Sequence, residues 1–460
     1  MNTNGANATL GNINRYGNNS NPGTTDMTTA LNNAVAVAIA GVGFVYLPAQ
    51  FGPYNFLSTI TAQNFTGISI YGDAAGITAL NGAPSASNSA LIFDSAGSGN
   101  DGLVFTNFVG ASIRNLLISF RRASAGGGRA LRLYNGHDVK VENVKVDLAA
   151  GTFGQGIALG NSTGATAIFN CSVSNCKVMS DGGASFVSNN TNTSIKFDTC
   201  YSIGGYYNLV GSVYSTLINC ACDGAPLYAY NIQSNCQGVA VIGCGAETAG
   251  RGAIYLNQAT NVAIVAPLGS GNNTLAGTGY GSLVQLDSGG NSNITIINPV
   301  DASPNAATTA SIYGTTGTGT VQVINANSNY MSKGIGGDTT WRLNYLTVEG
   351  DSNVEVQSFT ATIGSGWTNV GTPTVTGTFV KKGKYVTFNL EVSPSTSIEP
   401  ASGARINMPW TPSFNGSCTQ LDGNGNSYGV AIVSTTGQIF CQSTGVLTVP
   451  LYFQGGFYIA

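Results

Sequence analysis

The chain has 460 residues, of which 8% are charged, 42% apolar and 63 glycine, with a net charge of −3. An ordinary globular protein carries about 25% charged residues, so much of the surface here must be Asn, Ser and Thr. Such apolar content excludes a disordered chain, 17 scattered basic residues form no nucleic-acid patch, and no stretch reaches the roughly 18 apolar residues of a membrane span.

Residues 1–25 form an N-terminal segment, and Met1-Asn2-Thr3-Asn4-Gly5 shows no basic and apolar leader. Residues 26–60 read as a capping helix and first strands. Asp26 is a candidate N-cap. Met27, Leu31, Ala34, Val35, Ala38 and Ile39 recur at helical spacing, and Gly41 and Gly43 stop the helix. A strand follows over residues 43–48. The helix covers strand edges that would otherwise stand unpaired.

Residues 61–326 read as one domain, and within it residues 100–326 repeat. Short strands centred on residues 104, 132, 158, 187, 209, 231, 254, 284 and 312 recur at roughly 20 to 30 residues. A second strand follows each by about a dozen residues, as in Asn115-Leu116-Leu117-Ile118, Asn143-Val144-Lys145-Val146, Asn170-Cys171-Ser172-Val173, Asp198-Thr199-Cys200-Tyr201, Asn219-Cys220-Ala221-Cys222 and Gly243-Cys244-Gly245-Ala246. Two families of period-two strands joined by Gly, Asn and Ser turns, with no helices between them, predict a parallel β-helix.

Alternation assigns the faces. Leu116, Val144, Cys171, Thr199, Cys220 and Cys244 form one inward column; Ile118, Val146, Val173, Tyr201, Cys222 and Ala246 form another. Asn115, Asn143, Asn170, Asp198 and Asn219 form an outward or turn column, read as a structural ladder of side-chain amides. The nine cysteines are an odd count inside strand-like runs, so they read as buried free thiols suited to folding in a reducing cytoplasm.

Residues 327–354 form a connector of a kind that can intertwine between chains. Residues 355–460 form a C-terminal β-sandwich-like domain, for trimerisation or glycan binding. It contains a hairpin over residues 377–390 with a Lys-Gly turn, and strands at Ile406-Asn407-Met408-Pro409-Trp410 and near the terminus. The predicted fold class is therefore all-β.

The opening carries a resemblance. Ile13-Asn14-Arg15-Tyr16-Gly17, Thr25-Asp26-Met27, Val45-Tyr46-Leu47-Pro48, Tyr54 and Ile68-Ser69-Ile70-Tyr71-Gly72 resemble the start of pectate-lyase-like right-handed β-helix domains in bacteriophage tailspikes. The usual Pro-Ala-Gly-x-Tyr is here Pro48-Ala49-Gln50-Phe51-Gly52-Pro53-Tyr54, with a longer first turn. The family's second Asp after the first Gly turn is absent, and no catalytic motif of the related lyases or epimerases is complete. The resemblance implies a virion component of the phage tail that acts at the host surface. It also implies a homotrimer, attachment to tail or baseplate proteins, and a bacterial surface polysaccharide as ligand.

The chemistry has few places to sit. His137 is the only histidine and lies in Asn135-Gly136-His137-Asp138, a surface turn. With one His and no Cys-x-x-Cys pair, neither a zinc site nor any cofactor is expected. The outward position closing the second strand reads Ser119, Asp147, Ser174, Ser202, Asp223 and Glu247. Asp223 and Glu247 thus fall at one register on consecutive coils, about 4.8 Å apart in backbone. Glycosidases hold paired carboxyls about 5 to 9.5 Å apart, so these two, with Asp198 as a third member, are the candidate catalytic residues. Arg251, Tyr207, Tyr228, Tyr230 and Tyr255 are the candidate sugar-binding residues, by charge and by stacking. Three activities remain open: a glycosidic hydrolase, a lyase using Arg251, Lys196 or a tyrosine as base, and a non-catalytic receptor-binding spike. A secreted bacterial pectin- or alginate-active enzyme is a fourth, weaker reading.

Overall fold

The computed structural model describes residues 10–73, 89–94, 101–122, 128–148, 154–160, 167–189, 191–275, 282–287, 289–303, 310–314, 320–324, 335–337, 342–346, 354–368, 374–382, 385–408, 412, 415–424 and 426–458. The chain divides into two compact units, residues 1–319 with 327–340, and residues 320–326 with 341–460. Most of the predicted connector, 327–354, lies outside the described residues. No helix among the described residues is long and apolar enough to cross a membrane.

The first unit is a right-handed parallel β-helix, capped as expected. Helix α1 spans Thr28–Val37 and buries Ala30, Leu31, Ala34 and Val35. Asp26 serves the helix from one residue earlier than predicted: Met27 holds the N-cap position, and the Asp26 carboxylate accepts from the Thr28 backbone N–H at 3.0 Å and the Thr28 hydroxyl at 2.6 Å. A wider turn over Ala38–Val42 then ends at Gly43, whose φ of 76° is the left-handed conformation that favours glycine. Ile39, predicted inward, is exposed.

The helix has three parallel sheets rather than two strand families. The first sheet includes Gln155–Leu159, Ala184–Ser188, Tyr206–Val210, Tyr228–Gln233 and Gly252–Asn257. The second includes Ile168–Ser174, Thr193–Asp198, Thr216–Ile218, Ala240–Ile242 and Thr260–Val265. The third includes Lys177–Met179, Tyr201–Ile203, Ala221–Asp223, Gly245–Glu247 and Leu268–Ser270. Each strand pairs in parallel with its counterparts one coil away. In the early coils all three segments run through one long strand, Leu103–Phe120 and then Arg129–Leu148.

The second run read from the sequence straddles the corner between the second and third sheets. The corner residues take left-handed φ: Asn115, Asn143, Asn175, Thr199, Asn219 and Gly243. Asn adopts this conformation at low cost because its short polar side chain bonds locally. Asn143 donates to the Asn115 side chain at 2.9 Å, so the amide ladder is present there. Two predicted members belong elsewhere. Asn170 lies at an earlier corner, where it donates to Asp138 at 2.6 Å. Asp198 precedes the Thr199 corner and lies in the second sheet.

This correction shifts the columns. The inward residues after the corner are Leu116, Val144, Cys176, Cys200, Cys220 and Cys244, all buried; Cys171 is buried within the second sheet, and Thr199 is the corner itself. In the next inward column, Ser202 pairs with Val178 and Cys222. Tyr201, predicted inward, therefore faces outward, since a one-residue slip inverts the face of every side chain. All nine cysteines are buried free thiols.

The second unit, taken by itself, contains a nine-stranded antiparallel sheet. Its central strands are Thr374–Lys382, Tyr385–Ser393, Leu451–Tyr458, Gly416–Asp422 and Ser427–Val433. The predicted hairpin is present, with Lys382 opposite Tyr385; its turn residues lie outside the described set. The apolar side carries one core that includes Phe388, Leu390, Val392, Ile439, Phe453 and Phe457.

Candidate functional site

The outer face of the third sheet is covered in the early coils and open later. Leu117, Ser119, Asp147 and Met179 point outward from it and are buried. From the next coil onward, Tyr201, Ile203 and Asp223 are half-buried, Glu247 is exposed, and Leu268 is 42% exposed. Asp223 and Glu247 are direct cross-strand neighbours, with Ala221 opposite Gly245 and Cys222 opposite Ala246. The predicted pairing of the two carboxylates therefore stands. Ala221 and Gly245 leave the strip shallow beside them, between Tyr201 on one side and Leu268 on the other.

Tyr201 is the residue that sequence reasoning missed. Its hydroxyl donates to the Asp223 carboxylate. That bond, with partial burial and the negative charges of Asp223 and Glu247, pushes the Tyr201 phenol up to about 12. The phenol thus stays protonated at neutral pH and acts as a donor, leaving Asp223 an acceptor. Lys177, one coil before Tyr201, places its ammonium over the Tyr201 ring at 5.4 Å. What turns Tyr201 outward is the left-handed corner at Thr199, which sets the alternation after it and which no residue type in the sequence marks.

Asp198 is not brought to this pair. It lies on the neighbouring sheet, across the Thr199 corner, with its carboxylate 2.7 Å from the Lys196 ammonium. Lys196 and a bond from the Thr199 hydroxyl hold the Asp198 carboxyl below the usual range. Lys196, weighed as a lyase base, is committed by the same contact.

Most of the predicted sugar-binding tyrosines are structural. Tyr207 and Tyr230 are 0% and 1% exposed and stack inside the helix, continuing from Phe186 at centroid distances of 4.7 and 4.9 Å. The Tyr207 hydroxyl donates to the Cys200 carbonyl at 2.8 Å, and the Tyr230 hydroxyl to the Cys220 and Gly245 carbonyls at 2.9 and 2.7 Å. Their hydroxyls satisfy backbone carbonyls of neighbouring coils, so these rings cannot meet a sugar. Tyr228 is 5% exposed, donates to Gln285 at 2.7 Å and stacks on Tyr255 at 4.6 Å. Tyr255 is half-buried on the outer face of the first sheet and donates to Asp287. Arg251 is half-buried at the turn that carries the chain from the third sheet back to the first. His137, predicted in a surface turn, lies instead within the strand Arg129–Leu148, paired with Val109 and Phe169, and is exposed 2.9 Å from Asp138.

No curated protein matches the sequence. Among solved structures, the chain is similar to the Dettilon tailspike protein, at 11% identity over 97% of this chain and 94% of that one, with a TM-score of 0.40. It is similar to an endo-xylogalacturonan hydrolase from Aspergillus tubingensis, at 12% identity over 72% and 96%, with a TM-score of 0.49. It is also similar to a surface adhesin of Streptococcus pneumoniae, at 10% identity over 76% and 96%, with a TM-score of 0.42. The family described as rhamnogalacturonase A/epimerase, pectate lyase-like, matches residues 11–224, and that stretch holds the cap helix and the coils of the parallel β-helix up to Asp223.

Proposed function

We propose that this protein is a phage tailspike that binds a bacterial surface polysaccharide, capsule or O-antigen, on the open outer face of the third sheet and hydrolyses it there. The observation that carries the reading is the cross-strand pair Asp223 and Glu247 on the open strip, with Tyr201 donating to Asp223. The pectate-lyase-like match over residues 11–224 and the tailspike-like opening support a polysaccharide ligand.

The roles follow from the surroundings. Asp223, fixed as an acceptor by Tyr201, serves as the nucleophile or as the base that activates water. Glu247, exposed on the next coil, protonates the departing glycosidic oxygen. A backbone spacing of about 4.8 Å allows either the shorter carboxyl separation of a retaining enzyme or the longer one of an inverting enzyme; the anomeric configuration of the first product distinguishes them. Of the bases weighed for elimination, Lys196 is paired with Asp198 on another sheet, and the Tyr201 phenol, bonded to Asp223, gives up its proton less readily than an ordinary tyrosine.

The test is incubation with a panel of capsules and O-antigens, following new reducing ends and the ultraviolet absorbance of unsaturated products together. Reducing ends without absorbance, abolished in Asp223→Asn and in Glu247→Gln with binding retained, is the expected result. Turnover that survives both substitutions overturns the assignment. Absorbance would indicate a lyase, and binding without either signal an adhesin.

A further inference from the structure

Lys145 and Lys177 stand directly opposite each other on consecutive strands of the third sheet, at the end of the strip where its outer face becomes covered. Tyr201 continues their column on the next coil. The Lys145 ammonium donates to the Asn175 carbonyl at 3.2 Å, and that of Lys177 lies over the Tyr201 ring. Neither makes an ion pair with a described carboxylate. The lysines on the neighbouring second sheet differ in this respect: Lys140 is 2.9 Å from Glu142, and Lys196 is 2.7 Å from Asp198. Like charges directly opposite on paired strands are destabilising. In a chain with only 17 basic residues, a stacked pair of lysines that makes no ion pair even with the buried Asp147, two residues on from Lys145 on the same face, is matched to an anion from outside.

We propose that Lys145 and Lys177 form an anionic subsite of the polysaccharide-binding strip, taking the carboxylate of an acidic sugar in the polymer. The inference rests on reading the third-sheet face as the polysaccharide site, but not on hydrolysis. Spacing favours it. Lys177 lies two coils before Asp223 and three before Glu247. One coil advances about 4.8 Å, close to the length of one pyranose unit, so the acidic sugar lies roughly two to three units from the bond being cut. Charge favours it as well. An acidic polymer approaching Asp223 and Glu247 meets repulsion, and two ammonium groups on the same strip offset it.

The experiment uses the full chain with alginate, a polyuronate, as the acidic probe and pullulan as the neutral one, by affinity electrophoresis at low and moderate salt. The wild type should be retarded by alginate and not by pullulan. Lys145→Gln with Lys177→Gln should weaken alginate binding about tenfold, as expected for two half-exposed charge contacts, and Lys145→Arg with Lys177→Arg should restore it. Lys140→Gln with Lys196→Gln removes the same charge from the second sheet and should leave binding unchanged. The proposal is overturned if the Lys145 and Lys177 pair of Gln substitutions has no effect, or no more effect than the Lys140 and Lys196 pair. It is likewise overturned if pullulan binds as tightly as alginate. Asp223→Asn with Glu247→Gln should retain lysine-dependent binding. If no polymer of the panel is cut while that binding persists, the hydrolase reading fails and the subsite stands.

Discussion

Removing one hydroxyl tests the architecture of the candidate site. In Tyr201→Phe the ring remains beneath the Lys177 ammonium, and only the donor to Asp223 is lost. A hydrogen bond to a charged group contributes about 1.5–3 kcal/mol when buried. Here both residues are half-exposed and water replaces part of the donor, so about 1 kcal/mol is the reasonable scale. Every 1.36 kcal/mol of barrier is tenfold in rate, so kcat should fall about fivefold. KM should move little, because the ring and its stacking surface persist. The assay is reducing-end release on whichever polysaccharide the wild type cuts, with kcat and KM determined separately. Tyrosine titration supplies a readout independent of activity. The wild type should show phenols titrating near 12, Tyr46 and Tyr201 among them; one should be missing in Tyr201→Phe, and the same one should fall toward 10 in Asp223→Asn. An unchanged kcat together with an unshifted phenol in Asp223→Asn would refute the idea that Tyr201 fixes Asp223.

The same raised phenol predicts an alkaline effect on stability. A group that holds its proton more tightly when folded contributes its full stabilisation below its ordinary value, about 10, and loses it as the pH rises to about 12; denaturant midpoints of wild type and Tyr201→Phe should converge over that window. Tyr230→Phe removes the hydroxyl that donates to the Cys220 and Gly245 carbonyls, of which the Cys220 carbonyl keeps its bond from the Gly245 backbone N–H. It should cost about 1–3 kcal/mol in a denaturant titration with sugar binding unaltered; lost binding with unaltered stability would return Tyr230 to the site. Gln420, fully buried, holds the Gln442 backbone from both sides, donating to its carbonyl at 2.9 Å and accepting from its N–H at 2.7 Å. Gln420→Ala should lower the melting of the C-terminal unit by a comparable amount, and an unchanged melting curve would remove that clamp from the account.

Much of this molecule was legible in one dimension. A period of roughly 20 to 30 residues, strands of alternating polarity and turns of Gly and Asn left few alternatives to a stacked helix of strands. The capping helix was legible because amphipathic spacing and a Gly stop are local signals, and the pairing of Asp223 with Glu247 followed from counting between equivalent repeats. Register at the corners was not legible. Asn170 and Asn175 both precede alternating apolar residues, and only the backbone distinguishes the earlier corner, where Asn170 meets Asp138, from the later one. That slip is what placed Tyr201 inside and Asp198 beside Asp223. Nor can a sequence distinguish a tyrosine that offers its ring to a sugar from one whose hydroxyl ties two coils together. Tyr207 and Tyr230 are inside because alternation along the first sheet and stacking on Phe186 put them there. Repeat length and alternation are properties of neighbours along the chain, and the sequence by itself determines them. Which face stays open, which lysine finds a carboxylate and which hydroxyl reaches Asp223 depend on residues one coil away, and only the closed stack of coils brings those together.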